Sequence, residues 1–297
     1  MQKSRLPVVV TQYEKFDYTY ACVEDLRRQE GVSIEIWLVD VASPSLTPAI
    51  SAKLEKLVDH FIPLTENVGF GAANNIALKK IIERGEDAHI GILNNDTTFE
   101  PETWKKLVSF MYSHPKAGQV TPRLLYPNGK LQGVGGKLNV KLFEPSMIGN
   151  QEENTGYTEA REVVFASGCA ILCSSEALKA AGLFDEDYYM YSEDVALSLT
   201  MQKNNYQVWY CPEAVIVHHE SVASGSYSAF KAYYLTRSHV LLAKRTLSDS
   251  DYRKYLVATR SKLVRQSVKY ATKPKYVASL WRGFTDGKHQ ITGRVAF

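Results

Sequence analysis

The sequence predicts an α/β protein: a doubly wound, mostly parallel central sheet flanked by helices, with a helical extension at its C-terminal end. Three observations predict it. Apolar runs at Leu6 to Thr11, Ile34 to Asp40, His60 to Leu64 and Ile90 to Leu93 alternate with stretches of helix periodicity, the pattern of successive strand-helix units. Carboxylates, Asp40 and Asp96, close the second and fourth runs, at the strand ends where an open sheet of this kind holds its ligands. From Tyr227 onward the strand pattern stops, and helix periodicity continues with many Lys and Arg.

The elements follow in order. The first strand leads to a helix over about Asp17 to Gln29, which Gly31 ends, and the second strand leads to a helix near Leu46 to Val58. After the third strand comes Asn67-Val68-Gly69-Phe70-Gly71-Ala72-Ala73-Asn74-Asn75, whose glycines permit a close approach to a ligand or a sharp entry into a helix over Ala72 to Glu83. It is not the dinucleotide fingerprint, because Asn74 stands where Gly-x-Gly-x-x-Gly needs its third glycine. A helix from Pro101 to about His114, a strand from Gly118 and a hairpin turn over Tyr126 to Lys130 come next. Gly133 to Tyr157 reads as a mobile loop, long enough to serve as a lid or specificity segment. Val163 to Cys173 is apolar enough for a buried strand, and Ser174 or Ser175 caps a short helix ending at Gly182. Gln207 to Cys211 and Ala214 to Val217 read as closing strands, and the tail as helices from Tyr227, over Asp251 to Tyr270, and over Lys275 to Phe284.

At 297 residues the chain can bury a sizeable core. No apolar run reaches the roughly 20 residues that span a bilayer, and the first residues lead into a strand instead of a signal-peptide core, so a cytoplasmic location is expected. Cys22, Cys169, Cys173 and Cys211 lack a zinc pattern and read as reduced core residues. The net charge of +3 conceals a division: Lys231 to Phe297 carries 15 Lys and Arg against 3 acids, a net +12, which leaves −9 for residues 1 to 230. An acidic body with a basic tail points to an anionic partner for the tail.

Four stretches carry chemistry, and each has a plain structural alternative. Asn94-Asn95-Asp96-Thr97 places a carboxylate where a metal could sit, or is a polar turn before the next helix. Asp40 could accept hydrogen bonds from a base or ribose, or form a turn before Pro44. Ser192 reads as an N-cap; Glu193 and Asp194 after it could supply a general base, or complement the helix dipole for about 0.3–1 kcal/mol. His218-His219-Glu220-Ser221 at the last strand end could hold a divalent ion, or be ordinary strand-end residues.

Taken with Val8-Val9-Val10-Thr11, Asn67 to Asn75, Ser167-Gly168-Cys169-Ala170, Gly182-Leu183-Phe184-Asp185-Glu186 and Trp281 to Gly287, these stretches resemble glycosyltransferase family 2. These are inverting transferases of the GT-A fold, and the resemblance points within them to rhamnosyltransferases of bacterial surface polysaccharides. It implies a catalytic domain over 1-226, with a nucleotide-sugar half of about 1-100 and an acceptor half of about 101-226. A basic helical region, 227-297, would face membrane and acceptor. Thr11, Tyr13 and Asp40 would line base and ribose, with Gly71 and Asn75 near the nucleotide. Asn95-Asp96 stands in place of the family's Asp-x-Asp motif, so Asp96 would coordinate Mg²⁺ or Mn²⁺. His218 would complete the metal shell, with His219 as substitute, and Asp194 would be the base with Glu193 its neighbour. The donor implied is dTDP-rhamnose, with a UDP-hexose as the rival, and the acceptor an undecaprenyl-pyrophosphate-linked saccharide. The implied location is peripheral on the inner face of the cell membrane, without nucleic acid. A non-catalytic sugar-binding subunit is the rival from another class. The chain departs from the family pattern in its single carboxylate at Asn94-Asn95-Asp96, in Val41 where relatives usually carry Asn, and in Arg237-Ser238 where Arg-Asn is common.

Overall fold

The computed structural model describes residues 5–85, 87–139, 143–219 and 228–296. The nucleotide half expected from the sequence folds as successive units: β1 (Arg5–Gln12), α1 (Phe16–Arg27), β2 (Ser33–Asp40), α2 (Pro48–Leu57), β3 (His60–Pro63), α3 (Phe70–Arg84) and β4 (His89–Asn94). Their strands stand in the order β3-β2-β1-β4, all parallel. Successive side chains on a strand point to opposite faces, so both faces of a buried parallel strand must be apolar. Val8 and Val10 accordingly pack with Ile36, Leu38, Val23, Leu26, Leu54 and Trp104, whereas Val9 packs on the other face with Val39, Ala77, Leu78 and Ile81.

The second half adds β5 (Thr97–Phe99), α4 (Thr103–Ser113), β6 (Ala117–Leu125), β7 (Leu131–Gly133), β8 (Gly136–Asn139), β9 (Glu144–Met147), β10 (Arg161–Glu162), β11 (Ala170–Ser174), α5 (Ser175–Ala181), α6 (Glu193–Lys203) and β12 (Gln207–His218). Here the sheet becomes mixed: β11 lies antiparallel between β4 and β6, and β12 runs parallel to β6. Three expectations change. Gly133 to Tyr157 is not a plain loop, since β8 and β9 pair within it as a small separate sheet. The strand expected over Val163 to Cys173 shortens to β11, because Ala166 and Gly168 give their amides to side chains of α6. The two closing strands are one, β12, with a register shift between Cys211 and Val215 where Pro212 supplies no ladder donor.

Three helices end the chain: α7 (Ala229–Thr246), which Ser228 caps, α8 (Asp249–Lys269) and α9 (Pro274–Lys288). Tyr227, expected to open the first of them, and the boundary expected at 226 fall outside the described residues. The helices share a core with the rest of the chain, where Val240, Leu241, Tyr255 and Phe284 pack with Phe143, Phe165, Tyr188 and Val195. Among the described residues no helix is long and apolar enough to cross a membrane.

Candidate active site

At the ends of β1 and β2, Gln12 and Asp40 sit in register. Asp40 is fully buried; it accepts from Gln12 Nε2 at 2.6 Å, Ser43 Oγ at 2.6 Å and Ser43 N at 2.9 Å. The turn reading is the one these bonds show, since the carboxylate shapes the turn through Ala42, whose φ is 53°, at the edge of the strand ends. Beside it, the buried Thr11 Oγ1 and Gln12 Oε1 have no protein partner. A buried polar atom left unmet is costly, so both would gain from a polar partner reaching the strand ends. Tyr13 is 49 % exposed at the rim. The next two residues, Glu14 and Lys15, have φ of 58° and 53°, a conformation that non-glycine residues seldom hold without surrounding constraint. The constraint is visible: Glu14 N donates to Ser43 Oγ at 2.8 Å, and Glu14 Oε1 accepts from Ser45 N at 3.0 Å.

At the end of β4, Asn95 turns inward and donates to Thr19 Oγ1 at 2.8 Å, so its amide fixes the turn. Asp96 turns out. Its Oδ1 lies 3.1 Å from His218 Nε2, and His218 Nδ1 is 2.8 Å from Gln132 Oε1, a contact that places the proton on Nδ1 and orients the ring. His219 is engaged elsewhere, with Nε2 3.0 Å from Thr98 Oγ1 and its backbone N donating to Asp96 O at 2.8 Å. Burial works to raise the Asp96 pKa, but the hydrogen bond and charge of His218, with Lys15, hold it below the usual value. Burial likewise works to lower the His218 pKa, and Cys169 and Asp96 overcome it, so the imidazole stays well above its ordinary value. An ion about 2.1 Å from each of two adjacent ligands separates them by roughly 3 Å, and the pair already stands at that spacing. No group of three His, Cys, Asp or Glu among the described residues could hold an ion. A divalent ion held by Asp96 and His218 would have to displace the Nε2 proton of His218 and take its other ligands from water and phosphate oxygens. Glu220 and Ser221 lie outside the described residues.

The third cluster forms where the Asn67 to Asn75 motif meets residues 184–194. Gly69, at φ 86°, admits the Tyr189 carbonyl, which would stand 2.1 Å from a Cβ there. Asn67 Oδ1 accepts from both Gly69 N and Tyr189 Oη, at 3.0 and 3.1 Å, and Phe70 N donates to Tyr189 O at 3.0 Å. Gly71 packs on Phe184 and Glu193. Asn75 donates to Phe184 O and Glu186 Oε1, each at 2.9 Å, and accepts from Phe184 N at 3.1 Å, so its side chain clamps the two halves together. The clamped segment is strained: Tyr189, Tyr191 and Ser192 have φ of 60°, 66° and 68°.

Ser192 stands at the N-cap position of α6 but makes no capping hydrogen bond, because its left-handed backbone aims the hydroxyl away. Asp194 does that work itself, accepting from Val195 N at 2.8 Å and from Gly168 N at 2.9 Å. Glu193 is buried with Oε2 unpartnered. Burial, then the neighbouring Asp194, pushes the Glu193 carboxyl up to about 8. Burial also raises Asp194, against the pull of the Gly168 and Val195 amides. Two adjacent buried acids do not both ionise readily, and the one with two amide donors holds the charge. The arrangement is a half-buried Asp194 carboxylate held by two amides beside the buried Glu193, whose carboxyl is the harder of the two to ionise.

Gly168 and Cys169 bring these clusters together. Gly168 N holds Asp194, and Cys169 O accepts from Asn94 N at 2.9 Å at the start of the turn that carries Asp96. Sequence reasoning missed Gln12, Lys15 and Gln132 as site residues and placed Cys169 in the core alone. Lys15 was open to discovery from its place in the first strand-to-helix turn, whereas Gln132 comes from a segment with no motif.

A family profile described as Glycosyl transferase family 2 matches residues 8–181. An N-acetylglucosaminyl-diphospho-decaprenol L-rhamnosyltransferase of Mycobacterium tuberculosis (strain CDC 1551 / Oshkosh) is 25 % identical over 240 residues, 74 % of this chain and 78 % of that protein. The O-antigen biosynthesis protein RfbC of Myxococcus xanthus is 27 % identical over 229 residues, 74 % of this chain but 18 % of that longer protein. Among solved structures, GalNAc-T7 with UDP, GalNAc and Mn²⁺ superposes with a TM-score of 0.68 at 13 % identity, over 98 % of this chain and 57 % of that one. The Pyrobaculum calidifontis mannosyltransferase PcManGT with GDP-Man and Mn²⁺ gives 0.59 at 15 %, over 97 % and 88 %. At such identities the structural likeness shows the fold, which is GT-A.

Proposed function

The chain belongs to glycosyl transferase family 2, and from that premise we propose that it transfers L-rhamnose from dTDP-rhamnose, with inversion, to an undecaprenyl-pyrophosphate-linked saccharide in bacterial surface polysaccharide synthesis. The observation that carries the proposal is the Gly168-Cys169 bridge, which ties the Asp194 carboxylate to Asn94 at the start of the turn where Asp96 faces His218. A transferase of this kind needs both: a place for the leaving nucleoside diphosphate and a base for the acceptor hydroxyl. The sugar and the lipid carrier rest on the mycobacterial rhamnosyltransferase relative.

In this reading Thr11, Gln12, Tyr13 and Asp40 line the base and ribose, and Asn75 with Gly71 fixes the wall between nucleotide and acceptor halves. Asn95 holds the turn that presents Asp96. Asp96 and His218 would hold Mg²⁺ or Mn²⁺, which when bound neutralises the leaving diphosphate. Asp194 accepts the acceptor proton, and Glu193, kept neutral, leaves that charge undivided. Residues 1-226 form the catalytic part and 227-297 a basic region toward an anionic membrane, on the inner face of the cell membrane. Thermal shift with dTDP, UDP and GDP, with and without Mn²⁺, tests the donor: dTDP with Mn²⁺ should stabilise most, because a ligand bound only by the folded state stabilises it by mass action. A larger shift with UDP would replace dTDP-rhamnose with a UDP-hexose.

A further inference from the structure

Helix α8 carries an unusual surface. Val257, Val264 and Val268 are 68 %, 51 % and 76 % exposed, although the inner side of the same helix is anchored by Tyr252, Tyr255 and Leu263. At 100° per residue the three valines fall within about 40° of one another, so they form one stripe along the outer side. Arg253 and Arg260 flank that stripe on one side and Lys254 and Arg265 on the other, all exposed, with Lys269 beyond. The acids of the helix, Asp249 and Asp251, are confined to its first turn, where Asp251 pairs with Lys254.

We propose that this face of α8 docks on the surface of an anionic bilayer, an inference that rests on the reading of the acceptor as lipid-linked. An apolar stripe framed by cations is what a helix lying in the headgroup region requires: the valines enter the acyl boundary while the Arg and Lys heads meet lipid phosphates. The chemistry of the stripe separates this occupant from others. Valine has no aromatic face on which a nucleic-acid base could stack. A second copy of the same helix would bring two sets of these cations together without acids to meet them.

The test is flotation of the whole chain with vesicles of phosphatidylcholine alone or with phosphatidylglycerol, without donor or metal, so that failure here is separable from failure of the transferase chemistry. The chain should float with phosphatidylglycerol vesicles at low salt and lose binding as salt rises. Replacing Val257, Val264 and Val268 together by Ser should weaken partition by about tenfold or more. Arg253→Glu with Arg260→Glu should weaken it by at least roughly 25-fold, from about fivefold per cation lost. Circular dichroism of both variants should match the parent, as these side chains are exposed. No flotation of the parent, equal flotation of the serine variant, or loss of a dimer in that variant by sedimentation would each overturn the proposal.

Discussion

At the scale of single residues, the site separates acids by what each carboxylate already does. Asp40 is spent on Gln12 and Ser43, Asp96 faces His218, and Asp194 is held by two amides. Asp194→Asn should keep donor binding, measured by thermal shift, and lose ~10²–10⁴-fold in turnover, the usual worth of a positioned base. Asp96→Ala should abolish the Mn²⁺-dependent part of the dTDP thermal shift while the chain stays folded. Glu193 gives a pH signature, because burial lifts its carboxyl to about 8 in the folded chain, above the ordinary 4.5. Below 4.5 both folded and unfolded chains hold the proton; as pH rises, the unfolded chain releases it first, and stability falls until the folded carboxyl ionises near 8. Glu193→Gln should therefore melt with the parent at the acid end of that window and above it at the alkaline end, as read by melting temperature across pH. The acids were legible in the sequence because each ends a strand or opens a helix. Their division of labour was not, since it depends on Gly168 and Gln12, which reach Asp194 and Asp40 from distant segments, and on Gln132, which orients the His218 that faces Asp96.

At the scale of elements, the strands of the nucleotide half were legible because a strand buried on both faces must be continuously apolar. The pairing of β8 with β9 was not, because short edge strands with mixed exposure have no such pattern. The strained segment before α6 was also invisible: its residues are ordinary tyrosines and a serine, and their left-handed backbone is imposed from outside. Arg237 on α7 supplies much of that constraint. Fully buried, it donates to Tyr188 O at 2.7 Å and to Gly293 O at 2.6 Å, with its guanidinium over the Tyr234 ring at 4.7 Å. Ser238 adds a bond to Met190 O at 2.9 Å. Arg237 is thus a positioning residue for Glu193 and Asp194. Arg237→Lys cannot span both carbonyls with one ammonium, and should lower kcat more than it raises the donor KM, with a loss of about 1–3 kcal/mol in stability. Steady-state kinetics and denaturant titration read the two effects separately.

For the whole molecule, the division of charge into an acidic body and a basic tail suggests two independent parts, whereas the packing joins them. Tyr188 and Val195, on either side of Glu193 and Asp194, share a core with Val240 and Leu241 of α7 and Phe284 of α9. Arg245 pairs with Asp185 and Asp187, so the opposite charges of body and tail meet at this seam. Charge counting reports composition, and only three-dimensional packing reports that these side chains interleave. Removing residues 229 to 297 would uncover Tyr188, Phe165 and Val195 and release the carbonyls that Arg237 and Ser238 hold. The full chain should consequently melt in one cooperative transition in calorimetry, with equal van't Hoff and calorimetric enthalpies. A chain ending at residue 228 should be insoluble or melt well below the parent, since unfolding of the tail and of the Tyr188 to Asp194 segment is one event. Two separate transitions in the full chain, with the truncated chain retaining the upper one, would show instead that the tail is an independent unit and that the Tyr188 to Asp194 segment holds its strained form unaided.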